Sequence, residues 1–216
     1  MAEVINTIDV LGDDVVIDSI INRTIEEFRD NVITMVGPYA FNNCTNLGIV
    51  DLPNATYIGD YAFGKCPLSI INLPKVTEIR SNSFLDVGKL HPKVCFPILT
   101  RVNYEGFRGC SFTHIDLPVC TYLGSHAFYQ AGPVQTLVLR SGVVCKLENG
   151  SNAFAGSSTG NTTQIARGNG YIYVPRALVD EYKAATNWSS LADQFRALED
   201  YTVDGTTTGE LDETKI

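Results

Sequence analysis

Phenylalanine recurs at a nearly fixed interval in this chain. Phe41, Phe63, Phe84, Phe107 and Phe128 are separated by 22, 21, 23 and 21 residues. Self-similarity at such a period marks a stacked-repeat architecture and constrains the fold more than any composition does. The residues around each Phe repeat as well. An aliphatic stands five residues before it (Val36, Ile58, Ile79, Val102, Leu123) and a threonine seven before it (Thr34, Thr56, Thr77, Thr100, Thr121). The residue just before it is small (Ala40, Ala62, Ser83, Gly106, Ala127). The third residue after it is small and apolar (Cys44, Cys66, Val87, Cys110, Ala131).

Between the Phe positions lie short strand-like segments, most of them ending in proline: Ile49–Pro53, Ile70–Pro74, Lys93–Pro97 and His114–Pro118. Thr136–Leu139 continues the series without the proline, and Tyr171–Pro175 closes it. Apolar residues alternate with period two, so one face of each segment turns inward. A lone strand of four residues is not stable, whereas copies stacked in parallel share one core. Six strands at the parallel spacing span very roughly 25–30 Å. The Phe column reads as a row of core plugs, and the Cys column as slots for small apolar side chains. The threonine column suits a ladder of hydroxyls from coil to coil.

Several function classes are disfavoured. The 216 residues carry a formal net charge of −8 with only 16 Lys plus Arg and no basic run, so nucleic-acid binding is not expected. No stretch approaches the length of apolar chain that spans a bilayer, and the N-terminus shows no secretory signal, which leads to an expectation of reduced thiols. The six cysteines form no Cys-x-x-Cys pair, and neither a nucleophile elbow, a phosphate loop nor a metal-ligand spacing occurs. The histidines (His91, His114, His126) and paired acids (Asp13-Asp14, Glu26-Glu27, Glu199-Asp200) assemble no nucleophile–base set. No cofactor, no metal and no enzymatic activity are expected.

The columns resemble the BspA-like leucine-rich-repeat family. Val36-Gly37-Pro38-Tyr39-Ala40-Phe41-Asn42-Asn43-Cys44 and Ile58-Gly59-Asp60-Tyr61-Ala62-Phe63-Gly64-Lys65-Cys66 follow its pattern position for position, the first continuing into Leu47, Val50, Leu52 and Pro53. Ser83 and Gly106 depart from its alanine, Val87 from its cysteine, and a Gly/Ser/Thr/Asn-rich insertion stretches the last copy between Cys145 and Tyr171. The segment from Tyr171 to Trp188 is similar to the terminal cap of such proteins from gut bacteria and their phages. The resemblance implies an α+β, β-rich leucine-rich-repeat solenoid of about six coils with parallel strands. The expected organisation is an N-terminal cap over 1–31, repeats over 32–175, a helical C-terminal cap over 176–200 and a flexible acidic tail over 201–216. Leu178, Val179 and Tyr182, then Leu191, Phe195 and Leu198, recur at helical spacing and suggest two short helices in that cap. Thr24–Glu27 fits either a helix-capping box or a cap strand.

A solenoid presents broad outward faces, and repeat proteins usually bind there. The candidate ligand-binding residues are Asp51, Asn72, Lys93, His114, Asp116, Tyr171 and Tyr173 on outward strand positions; an ordinary solvated sheet face is the alternative for each. Tyr57 and Tyr122 form a second, weaker pair. The expected partner is a protein or surface glycan, with no membrane insertion, in a homo-oligomer or a larger virion assembly. Three settings compete for such a recognition or adhesion module: a phage or prophage tail or baseplate protein in the virion, a bacterial cell-surface adhesin, and a purely structural spacer.

Overall fold

A computed structural model describes residues 6–11, 14–20, 24–88, 93–156 and 160–216, with side chains from residue 24 onward except Ser151. His91, Asp13 and Ile21 fall outside these residues. Each coil contributes two strands on different sides of the molecule. Two-residue strands at the aliphatic column (Met35–Val36, Tyr57–Ile58, Glu78–Ile79, Arg101–Val102, Tyr122–Leu123, Lys146–Leu147) pair in parallel. An antiparallel hairpin, Asn6–Leu11 with Asp14–Ile20, continues this ladder at its N-terminal end.

The second ladder carries the longer strands. Glu27–Arg29, Ile49–Asp51 and Ile70–Asn72 form one parallel sheet. Lys93–Cys95, His114–Leu117, Thr136–Leu139, Tyr171–Val174 and Phe195–Ala197 form another. Thr24–Glu27 therefore leads into a cap strand rather than a helix. The sequence also hides a strand at each end of the series: Phe28 stands in register with Val50, and Phe195 with Ile172.

The Phe turns supply a third set of bonds between coils. The amide of each Phe donates to the carbonyl of the small residue that precedes the next Phe: Phe41 to Ala62, Phe63 to Ser83, Phe84 to Gly106, Phe107 to Ala127 and Phe128 to Ala153, at 2.8–3.0 Å. A Cβ at Gly106 would already stand 2.8 Å from the Val102 side chain and 3.0 Å from that of Ile79, so the aliphatic column keeps this position small. The rings stack through the core with centroids 5.1, 5.4, 5.6, 5.7 and 5.3 Å apart, and the last partner, Phe154, is a sixth copy. All six rings are almost fully buried. Residues two before and two after the Phe take left-handed backbone, among them Tyr39, Tyr61 and His126, and Asn43, Lys65 and Gln130, with φ of 57–61°. The fourth copy of the second column is Gly109, for which that conformation is free of strain.

The threonine ladder forms with the hydroxyls reaching backbone rather than each other. Thr56, Thr100 and Thr121 place Oγ1 at 2.9–3.5 Å from the carbonyl of the preceding coil's threonine. Among the described residues no disulfide joins the six cysteines, and five of them are buried.

The C-terminal cap closes the open end, but only its first half is helical in the expected way. Turns Arg176–Leu178 and Val179–Ala184 form a short helix; Ser189–Gln194 is a kinked 3-10 segment, Phe195–Ala197 a strand, and Leu198–Asp200 a further 3-10 turn. The spacing of Leu191, Phe195 and Leu198 fits a helix, yet an unpaired edge at Tyr171–Val174 is better satisfied by a strand than left open. Trp188 is fully buried against Phe154 and ends the ring stack. Its indole N–H donates to the carbonyl of Cys145, and the Tyr182 hydroxyl accepts from the Cys145 amide. The cap thus satisfies the backbone of the last coil as well as covering its core.

Residues 201–216, expected as a flexible tail, fold back on the second ladder. Thr202 bridges Leu211 in antiparallel fashion, and Asp212 donates its amide to the carbonyl of Tyr201. Leu211 is buried with Val138, Tyr173 and Leu198 in a small cluster of its own, with Tyr201 packed against it. A single leucine in a polar stretch anchors the segment.

Candidate functional site: the outward strand column and its strap

The parallel register places the predicted residues in two columns. Arg29, Asp51 and Asn72 align across one sheet; Cys95, Asp116, Val138, Tyr173 and Arg196 align across the other. Beside them run Glu27, Ile49 and Ile70, then Lys93, His114, Thr136 and Tyr171. The ladder is interrupted between Asn72 and Cys95, so the face has two halves.

The first half is open. Asp51 accepts from the guanidinium of Arg29 at 2.9 Å and from the amide of Asn72 at 2.7 Å, so three coils present one hydrogen-bonded polar row. The second half is crossed by the folded-back C-terminal segment, hereafter the strap. Arg140 is its main anchor. Its guanidinium holds the Asp116 carboxylate at 2.8–3.1 Å and also donates to the carbonyls of Thr207 at 2.6 Å and Gly209 at 2.9 Å. Lys93 pairs with Glu213. Between strap and strands remains a cavity of about 530 Å³ lined by Lys93, His114, Asp116 and Arg140 from the coils and by Glu210 and Glu213 from the strap.

Tyr173 is a correction. Expected on the exposed face, it is 1% exposed, because Leu211 and Tyr201 of the strap pack over it. Burial pushes its phenol up to about 12. Val138 and Thr136 on the same face are buried too. Tyr171 stays exposed, with the Arg196 guanidinium 4.1 Å from its ring centre. His114 is half-buried; burial lowers its pKa, against a smaller opposing pull from Asp116. Asp51 and Asn72 come together, as do Lys93, His114 and Asp116, while Tyr171 stands at the far end. Tyr57 and Tyr122 lie on the other ladder with two strands between them; Arg101 covers the Tyr122 ring at 3.8 Å, and Arg80 lies 5.8 Å from Tyr57.

Arg140 was legible in principle. It stands where the other coils carry Pro53, Pro74, Pro97 and Pro118, so the missing proline marks the coil whose strand end takes a cation instead. Arg29 lay outside the recognised repeats. The turn edge holds a further aromatic group that the sequence reading passed over: the Tyr39 and Tyr61 rings stack in parallel at 4.9 Å, and His126 meets Tyr104 and Tyr129 edge-on.

Chemistry for catalysis is not assembled around these residues. Glu199 accepts from the Arg176 amide, Asp200 pairs with the Arg176 side chain, and Glu27 pairs with Arg29. Among the described residues, no group of three or more His, Cys, Asp or Glu is placed to hold a metal ion. No helix among them is long and apolar enough to cross a membrane.

The model of the BspA-type leucine-rich repeat region matches six copies, over residues 19–135 and 93–173. The chain belongs to the BspA-type leucine-rich repeat family. The match begins at residue 19, ahead of the first Phe-column copy, in keeping with the coil that carries Phe28. A leucine-rich repeat protein of Bacteroides ovatus, solved at 1.19 Å, is similar in structure, with a TM-score of 0.52 and 19% identity over 81% of this chain. The match spans 54% of that protein, so this chain covers about half its length, and the likeness is one of fold. No curated protein matches. Leucine-rich repeats of this type are typically protein-interaction folds rather than enzymes.

Proposed function

We propose that this protein is a non-enzymatic recognition or adhesion module whose binding face is the outward column of the longer strands. The observation that carries the reading is the strap itself. Lys93 and Arg140 grip an irregular stretch of polypeptide laid across the coils, so the face has donors, charge and an apolar recess suited to a protein ligand. The row Arg29–Asp51–Asn72 offers the same kind of polar surface with none of the described residues laid over it. The setting we favour is a phage or prophage tail or baseplate protein that contacts the host surface or another virion protein. The resemblance of the terminal cap, Tyr171 to Trp188, to that of proteins from gut bacteria and their phages supports it. A bacterial cell-surface adhesin is the second reading, the role that the likeness to BspA-type repeats implies.

The test is saturable binding of purified protein to intact bacterial cells, before and after protease treatment and periodate oxidation. Loss after protease identifies a protein receptor, and loss after periodate a glycan. Absence of saturable binding on every strain tried contradicts adhesion to cells. The two settings separate by immunogold labelling: gold on virions supports the tail protein, gold on cell envelopes without virions the adhesin.

A further inference from the structure

The strap meets the strand face through alternate residues. Thr207 and Gly209 offer carbonyls to Arg140, Leu211 fills the recess between Val138, Tyr173 and Leu198, and Glu213 reaches Lys93. The two central anchors are desolvated: the Arg140 side chain is 12% exposed, and Leu211 is 5% exposed. The face residues come from three different coils and converge on one path, which an ordinary solvated sheet has no reason to do. Beside that path lies the cavity of about 530 Å³, so the strap covers its face without filling it.

We propose that the strap is an intramolecular occupant of a peptide-binding groove, and that the groove's partner is an acidic peptide segment of the same chemistry. Such a segment supplies two carbonyls for Arg140, one aliphatic side chain for the recess, and a carboxylate two residues beyond it for Lys93. This inference rests on the reading of the strand face as the recognition face and adds to it a ligand class and a control. A tethered occupant competes at high effective concentration, so the closed strap raises the apparent Kd for an outside peptide by the reciprocal of the fraction of molecules that stand open. Access requires only that the strap detach, since its contacts lie outside the main core cluster.

The experiment uses a fluorescent peptide of the strap sequence, Val203 to Lys215, and the full chain. Leu211→Asp with Glu213→Lys opens the strap and leaves every face residue intact. The opened protein takes up the peptide at least tenfold more tightly than the wild type, and Arg140→Ala in the opened protein removes the gain. Equal uptake by the opened and wild-type proteins overturns the proposal, as does a gain that survives Arg140→Ala. Hydrogen exchange on the wild type is the second measurement, independent of folding of the variant. The amides of Val203 and Asp212 exchange through an opening that leaves Phe107 protected; exchange of all three only together overturns it. Peptide uptake by a protein that binds no cells leaves this inference standing and removes the adhesion reading alone.

Discussion

Single residues carry the strain and the charge of this solenoid. Lys65 holds left-handed backbone at φ 60° in a column where the fourth coil uses Gly109. That conformation costs an L-residue about 1–2 kcal/mol, against about 0.5–1 kcal/mol of extra chain entropy for glycine. Lys65→Gly therefore raises stability by about 0.5–1 kcal/mol, read as a higher denaturant midpoint. Gly59→Ala acts in the other direction by about 3 kcal/mol, because its Cβ would stand 2.5 Å from the backbone nitrogen of Pro38. His114 adds a pH term. Burial lowers its folded pKa, so the unfolded state binds the proton first as pH falls below about 6.5. Its contribution is full above that value and is lost as pH falls through the folded pKa; His114→Gln flattens this part of the stability–pH curve. The left-handed positions were only partly legible in the sequence: Asn43, Asn82, Asp86, Gly109 and His126 are residue types that favour that backbone, whereas Tyr39, Tyr61, Lys65 and Glu105 are not. The Phe and threonine columns were legible, because each is fixed by one repeated contact.

Elements at the two ends explain most of what the sequence concealed. Leu147 stands seven residues before Phe154 rather than five, and that shift hid the sixth copy although Ala153-Phe154 keeps its form. The cap helix was readable from Leu178 and Tyr182, whereas Leu191, Phe195 and Leu198 fit helix spacing while serving a kinked turn, a strand and a turn. The strap gave no periodic signal at all. Its order comes from one leucine and from Arg140, a residue more than sixty positions away in sequence. Trp188 joins cap to coils through Phe154 and the Cys145 carbonyl. Trp188→Ala removes a fully buried indole at a cost of about 3–5 kcal/mol. By hydrogen exchange the amides of Lys146 and Glu148 then lose protection ahead of that of Thr100; uniform loss across the chain would show that the coils do not respond locally.

The whole molecule behaves as a one-dimensional stack in which each coil contacts its neighbours, so stability adds coil by coil. Deleting Thr56–Val76 removes one turn of the stack and joins Ala55 to Thr77 with every column still in register. The shortened chain folds with parallel-sheet circular dichroism and a lower melting temperature; an unfolded product contradicts this picture. The surface has the same modular character: a polar row over the first coils, a strapped groove over the last, and an aromatic turn edge on another side. Of the seven site residues read from the sequence, Asp51, Asn72, Lys93, His114, Asp116 and Tyr171 lie where alternation places them, while Tyr173 disappears beneath a segment that alternation does not describe. The proposal that recognition belongs to the strand column is tested by comparing cell binding of the wild type, of Asp51→Ala with Asn72→Ala, and of Tyr39→Ser with Tyr104→Ser at the turn edge. A loss of at least tenfold is expected for the strand-column variant and unchanged binding for the turn-edge variant. The reverse pattern would contradict the proposal.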